Sequence, residues 1–563
     1  MKRHVRDTYY VVGEGIVDGD ADRRYRCRRP STEASLRKFR FSRLGPQGEG
    51  VDLAVAEALA TRMTQGDKPD PDEEQVPSGY TYLSQFVDHD MTLDKTAVHL
   101  GDDVTVAELK QGRSPALDLD SLYGRGPTGG DERFYAADGV HLLTGTTAPA
   151  PSLDVAATAL PHEGFDLPRV GFGSTKAARR AALIPDGRND ENLVVGQTHA
   201  AFIRFHNRVV DTLAAAGTPS HLLLGAARDV VVRHYQWVLR HDLLPRLVDP
   251  SVLDDVFAHG RRFFEVPAPY ERSPRGRAPL HGYADPGDAP TMPIEFSVGA
   301  YRLGHSMVRD VYEWNRVFNS EGGLAPGTLA LLFQFSGTSG TLSPGPLDLG
   351  DPDAGDFLVL PSNWIADWRR LYDFSPLGVP GLVVEPKRFN VAKRIDTLLV
   401  DPLKNLPLGS FGGRGAVPAA VGLELNLAFR NLVRGGMVRL ASGQQMAAQL
   451  GVTPLSDAEL LGGDGSGVVV DAADPVAESL LAAAPLWFYC LREAEVNGGR
   501  LAGVGARITA EVFHRALEGS ATSIVRDPSW RPTLGRPDGT FEMVDLLMFA
   551  FEGREDLLNP LGD

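Results

Sequence analysis

Hydrophobic positions recur with helical spacing over most of this chain and alternate as in strands only briefly. The spacing predicts helices over residues 53–63, 82–90, 192–216, 222–247 and 296–318. A tryptophan-bearing helix is expected over 363–372, and two helices parted by glycines over 423–433 and 442–450. Three more, over 480–496, 506–517 and 541–551, close the chain. Polar and Gly/Pro-rich stretches between them read as loops: 101–130, a segment with short strands up to 181, 267–290 and 335–344. The glycines of 462–467 read as a turn, because a phosphate cradle needs a following Lys-Ser/Thr that is absent. The expected fold is mainly α: a single large helical domain over 76–563 with few short strands and long loops, preceded by an irregular arm over 1–75.

Composition narrows the function classes. Of 563 residues, 43% are hydrophobic, enough for a substantial core, and the net charge of −16 argues against a nucleic-acid or anionic-membrane partner. The basic run Arg23–Arg29 is read as a solvated arm, and the two cysteines, Cys27 and Cys490, allow at most one disulfide. The first residues lack the apolar core of a secretory signal and no long apolar span follows, so a cytoplasmic location is expected, with non-classical secretion as the alternative.

The chemistry gathers in five segments. Gln85 and His89 lie four residues apart and share a helical face with Asp88, while Asp90 is turned about 100° away. In Ser114-Pro-Ala116-Leu-Asp118-Leu-Asp120, oxygen-bearing positions recur every second residue, a pattern that can wrap a hard cation or form a solvated acidic turn. In Asp186-Gly-Arg188-Asn-Asp-Glu191 the acids suit a helix start, which leaves Arg188 unexplained. Tyr301-Arg302-Leu-Gly304-His305 sets an arginine one turn before a histidine, and Asn431 and Arg434 stand beside a glycine break. Two histidines on separate helices, several arginines and an amide serve zinc poorly, and they fit haem, with one histidine as axial ligand and the other as acid/base.

From about Phe39 to Leu450, these segments resemble the animal-type haem peroxidases, the peroxidase–cyclooxygenase superfamily. The helices containing Thr198-His199 and Tyr235-Gln236-Trp237 add to the likeness. The resemblance implies that His89 is the distal base, Gln85 its neighbour and Arg188 the distal cation. It implies His305 as iron ligand, Asn431 as acceptor of its other ring proton, and Arg302 and Arg434 as partners of the haem propionates. Asp90, Ser114, the Ala116 carbonyl, Asp118 and Asp120 are implied as calcium ligands, and Asp88 and Glu191 as carboxylates able to form esters with haem b. Asn192 follows Glu191 where a sulfonium link would need methionine, so none is expected. The implied activity is reduction of hydrogen peroxide with a small organic or halide donor. The alternatives are a catalase-like role, a fatty-acid oxygenase, and a non-enzymatic adhesion protein on the same scaffold. Oxygenases carry tyrosine three residues before the proximal histidine; here that residue is Arg302, with Tyr301 one place off. His199 and His206, seven residues apart, are read as structural histidines.

Overall fold

The computed structural model describes residues 40–66, 76–96, 98–267, 289–344, 354–407 and 422–563, with the strands Thr8–Val11, Gly15–Gly19, Tyr25–Arg28 and Tyr283–Ala284. The side chains of Arg23–Arg29, Cys27 among them, lie outside the described residues. As expected, the protein is mainly α with short strands. The first three strands form one antiparallel sheet in sequence order, and the other strands pair in twos.

Residues 40–66 pack into the body. Phe41–Ser42 pairs in parallel with Met292–Pro293, and the buried Glu295 carboxylate accepts Leu44 N–H at 2.8 Å and Gly45 N–H at 3.0 Å. Leu53–Met63, capped by Asp52 through Ala54 N–H at 2.8 Å, lies against Leu427–Met437.

At the centre, Gly79–Met91 packs against the 23-residue helix Leu193–Ala215, which in turn packs on Ser220–Val238 and Met543–Ala550. Gly79–Met91 is buried on nearly every side. Its polar groups are accordingly paired: the Tyr80 hydroxyl donates to Asp242 at 2.8 Å and the Tyr82 hydroxyl to the Tyr312 hydroxyl at 2.8 Å.

Four expected helices are divided or shortened; the one over 222–247 runs as Ser220–Val238, a wide π turn at Leu239–Leu243 and Leu244–Leu247. The one expected over 296–318 ends at Met307 and has an irregular start: a wide π turn at Glu295–Gly299, a tight 3-10 turn at Ala300–Leu303, then Gly304–Met307. Gly299 leaves helical geometry at φ −118°, ψ −96°, and the chain goes on to Val311–Tyr312, which pairs with Gly327–Thr328. Residues 363–372 form two separate turns, Ser362–Trp364 and Trp368–Arg370. Between them the buried Asp367 accepts Arg369 N–H at 3.2 Å and pairs with Arg369 and Arg370, a local alternative to helix. Over 480–496 the chain breaks at Ala484–Pro485 into Pro475–Ala483 and Leu486–Val496, because proline excludes helical geometry from the residue before it. The freed Ala484 N–H is received by the Gln444 side chain at 3.0 Å. Among the described residues, no helix is long and apolar enough to cross a membrane.

Candidate functional site

Gln85, Asp88 and His89 project from one face of Gly79–Met91 toward the turn Gly187–Asp190. His89 is 5% exposed, and its Nδ1 lies 2.8 Å from Asn189 Oδ1. An oxygen there makes Nδ1 the protonated nitrogen and leaves the Nε2 lone pair free, 4.0 Å from a Glu191 oxygen. Burial, and next Arg188, push the imidazole down to about 3, so it is neutral near pH 7. The Gln85 carbonyl accepts from the Asn192 amide at 2.9 Å, and the Asn192 carbonyl caps Leu193–Ala215 through Val195 N–H at 2.9 Å.

Arg188 is held by the turn and holds the helix. Its Nε and Nη2 grip Asp186 at 3.1 and 2.8 Å, while Nη2 also donates to the carbonyls of His89 at 2.9 Å and Thr92 at 2.6 Å. A cation at the C-terminal carbonyls of Gly79–Met91 offsets the negative end of that helix. Arg113, which the sequence reading passed over, approaches Asp186 from the other side with Nε at 2.8 Å. Although burial alone would raise the Asp186 carboxyl, Arg188 and Arg113 hold it well below the usual range. Asp190 fastens the turn to Arg169 at 2.5 Å and to the N–H of Gly337 at 3.0 Å, in the expected 335–344 loop.

On the facing segment, His305 sits on Gly304–Met307, which packs directly against Gly79–Met91. Burial and then Arg302 lower its ring to about 3. The Arg302 guanidinium feels Asp88, Arg188 and Glu191, so residues distant in sequence share one buried electrostatic neighbourhood. Ser84 Oγ and the Tyr301 hydroxyl, 3.1 Å apart, tie the two segments together. Burial raises the Asp88 carboxyl against the pull of Arg302 and Arg188, and raises Glu191 to about 8 against Arg188.

Two expectations differ here. The Asn431 amide nitrogen faces His305 Nδ1 at 2.8 Å while its oxygen accepts from Arg302 at 3.4 Å, so Asn431 is turned as a donor to the ring and not as an acceptor. An amide half-turn reverses this, at the cost of the long Arg302 contact. Arg434 is paired with Asp94. Behind Asn431 a cavity of about 290 Å³ opens among Val51, Val298, Leu440 and Trp487.

The acidic loop does assemble. Asp90, fully buried, accepts Leu119 N–H at 3.2 Å, Ser121 N–H at 3.3 Å, the Ser121 hydroxyl at 3.0 Å and the Tyr235 hydroxyl at 3.4 Å. Leu119 takes a left-handed conformation, φ 58°, in the turn that presents these donors. Asp120 accepts Ser114 N–H at 3.2 Å, and Ser114 Oγ accepts Ala116 N–H at 3.2 Å, with Asp118 buried in the same turn. Burial and Asp120 together lift Asp90 to about 7. Among the described residues, no group of three or more His, Cys, Asp or Glu side chains is placed to hold a metal ion.

Of the two histidines read as structural, His206 has both nitrogens engaged, by the Tyr123 hydroxyl at 3.0 Å and the Val140 carbonyl at 2.9 Å. His199 instead lies behind the site, its Nδ1 2.9 Å from the Asn189 amide nitrogen. Its spacing of ten residues from Asn189, across a helix start, gave no pairing signal in the sequence.

Residues 154–331 match the family model of the animal haem peroxidases, a span that holds Arg188, Glu191, Arg302 and His305. A peroxidase-like protein from Margaritifera margaritifera is 30% identical over 131 residues, 23% of this chain and only 14% of that protein's length. Among solved structures, the fatty acid alpha-dioxygenase of Arabidopsis thaliana matches with a TM-score of 0.53 at 14% identity, covering 92% of this chain and 78% of its own. Peroxidase A from Dictyostelium discoideum matches with a TM-score of 0.49 at 15% identity, covering 92% and 93%. Residues 154–331 thus carry the chain's likeness to the animal haem peroxidases.

Proposed function

We propose that the chain is a haem-dependent peroxidase that reduces hydrogen peroxide and oxidises a small organic donor or a halide. The observation that carries this reading is a pair of neutral imidazoles, buried His89 and half-buried His305, each bonded through Nδ1 to an asparagine and joined in one neighbourhood by Arg188 and Arg302. The donor set suits haem b: His305 would hold the iron through Nε2, and Asn431, with its amide turned, would accept the Nδ1 proton. Bound haem supplies the redox centre at which peroxide is reduced. In this reading Arg302 would hold a propionate, and Arg434, paired here with Asp94, is the second candidate. Asp88 and Glu191, whose carboxyls burial raises, are the carboxyls assigned to ester links.

His89 accepts a proton from hydrogen peroxide at Nε2 and returns it to the departing water, the work of a neutral imidazole with an open lone pair. Gln85 orients peroxide or donor beside it, and Arg188 provides positive charge where negative charge develops. Calcium is assigned to Asp90, Ser114, the Ala116 carbonyl, Asp118 and Asp120. A buried carboxylate whose ionisation a neighbouring carboxylate pushes upward, as Asp120 does to Asp90, suits a divalent cation.

A second reading, fatty-acid oxygenation, draws on Tyr301, a buried phenol beside Ser84 and near Asp88. The haem-loaded protein separates the readings. A peroxidase shows a Soret band that changes with hydrogen peroxide and oxidises phenols, while oxygen uptake with linoleate marks the alternative. His89→Gln is expected to keep the Soret band and slow the peroxide reaction by about 10²–10⁴. No Soret band after reconstitution overturns both readings and leaves the scaffold without haem chemistry. Haem that acid solvent extracts freely overturns the ester links.

A further inference from the structure

Behind His89 runs a line of three side chains. His89 Nδ1 meets Asn189 Oδ1 at 2.8 Å, and Asn189 Nδ2 meets His199 Nδ1 at 2.9 Å. We propose that His199 is a positioning residue that locks the tautomer of His89 through Asn189, keeping the His89 Nε2 lone pair open. The proposal rests on the reading of His89 as the proton-accepting base.

The middle amide has one accepting and one donating end, so it can hold two rings in only two ways. In the observed arrangement the oxygen takes the Nδ1 proton of His89 and the NH₂ reaches the bare Nδ1 of His199. His199 then carries its proton on Nε2. A half-turn of the amide reverses everything: His89 bares Nδ1 and blocks Nε2 with a proton, while His199 moves its proton to Nδ1. No arrangement switches one ring alone and retains both bonds. The tautomer of His199 is therefore the tautomer setting of His89.

His199 is enclosed by the core. It is 0% exposed, and its Nε2 has no hydrogen-bond partner among the described residues. Its ring stands edge-on to Phe86, at 5.8 Å and 73°, and Phe86 stacks on Phe202 at 4.7 Å. The setting is carried by the Asn189 amide, whose orientation fixes both rings at once. An interior histidine kept only for packing would gain more from an apolar ring of the same size, since a buried unpaired N–H costs about 1–3 kcal/mol. The wrong tautomer of a catalytic imidazole removes its function while leaving its position unchanged.

The test uses the full chain labelled with ¹⁵N-histidine, read by solid-state NMR without haem and by peroxide kinetics with it. The His89 signals are identified by their loss in His89→Gln, and those of His199 by their loss in His199→Asn. In the haem-free wild type, His89 is expected as the Nδ1–H form and His199 as the Nε2–H form; the reverse pair overturns the proposal without any variant having to fold. His199→Leu, which removes the acceptor for Asn189, is expected to give His89 a mixture of tautomers and slow the peroxide reaction about tenfold or more. His199→Asn restores an acceptor near the Nδ1 position and is expected to restore the single His89 tautomer and most of the rate. A His89 tautomer unchanged in His199→Leu reduces His199 to packing and overturns the proposal. A wild type that shows the expected tautomers yet no reaction with peroxide refutes the peroxidase reading and leaves the coupling intact.

Discussion

At the scale of single residues, Asp186 gathers more of the site than any side chain read from the sequence as catalytic. It caps the Arg188 turn, grips Arg188, and neutralises the buried Arg113 at 2.8 Å. Asp186→Ala leaves two guanidinium groups without their carboxylate and is expected to cost about 3–5 kcal/mol, read as a lowered denaturant midpoint. Because its folded pKa lies below the unfolded value, the stability it contributes is complete above about pH 4 and is lost as pH falls through the folded pKa. Glu191 has the opposite sign. Its carboxyl, ordinarily near 4.5, is raised to about 8, so the folded protein holds a proton that the unfolded chain has released. Haem-free stability should therefore fall between those two pH values, by on the order of 1 kcal/mol per pH unit. Glu191→Gln is expected to flatten that slope; denaturation at pH 6 and pH 8 measures it, and an unchanged slope would refute the buried-acid assignment.

At the scale of elements, the functional groups stand where regular structure starts, stops or changes. Asn192 ends the Arg188 turn, caps Leu193–Ala215 and holds Gln85. Asn192→Ala is expected to destabilise the protein by about 1 kcal/mol in thermal unfolding, the typical worth of a cap, and to free Gln85 as well. His305 follows a segment that passes from a wide turn to a tight turn within nine residues, Glu295–Leu303, a geometry associated with functional positions in helices. The acidic loop yields a third expectation: calcium should raise the melting temperature of the wild type and leave that of Asp118→Asn unchanged. Equal responses would remove calcium from this loop.

At the scale of the molecule, the long helices were legible because burial of one face leaves a period in the sequence. Leu193–Ala215 came out nearly as expected for that reason, and the helix expected over 222–247 did so up to Val238, before the wide turn Leu239–Leu243. Residues 296–318 and 363–372 misled because they are buried on several sides, where period no longer distinguishes helix from packed turn. There the outcome was decided by Gly299 and by the carboxylate of Asp367 competing for backbone donors. Residues 40–66 joined the body through a two-residue strand pair and the Glu295 carboxylate, contacts with no local signature.

The sequence by itself determined the helical class, the identity of the chemical groups, and the divergence of Asp88 and Asp90 on one helix. All of these follow from spacing along a single element, which geometry fixes locally. Only the tertiary structure decided which groups meet: Arg188 with Asp186 and the helix end, Arg302 with Asn431, Arg434 with Asp94, and His89 with His199 through Asn189. Those pairings join residues up to 340 positions apart. They depend on which buried charges and lone pairs find partners once water is excluded, and that is a property of the packed interior alone.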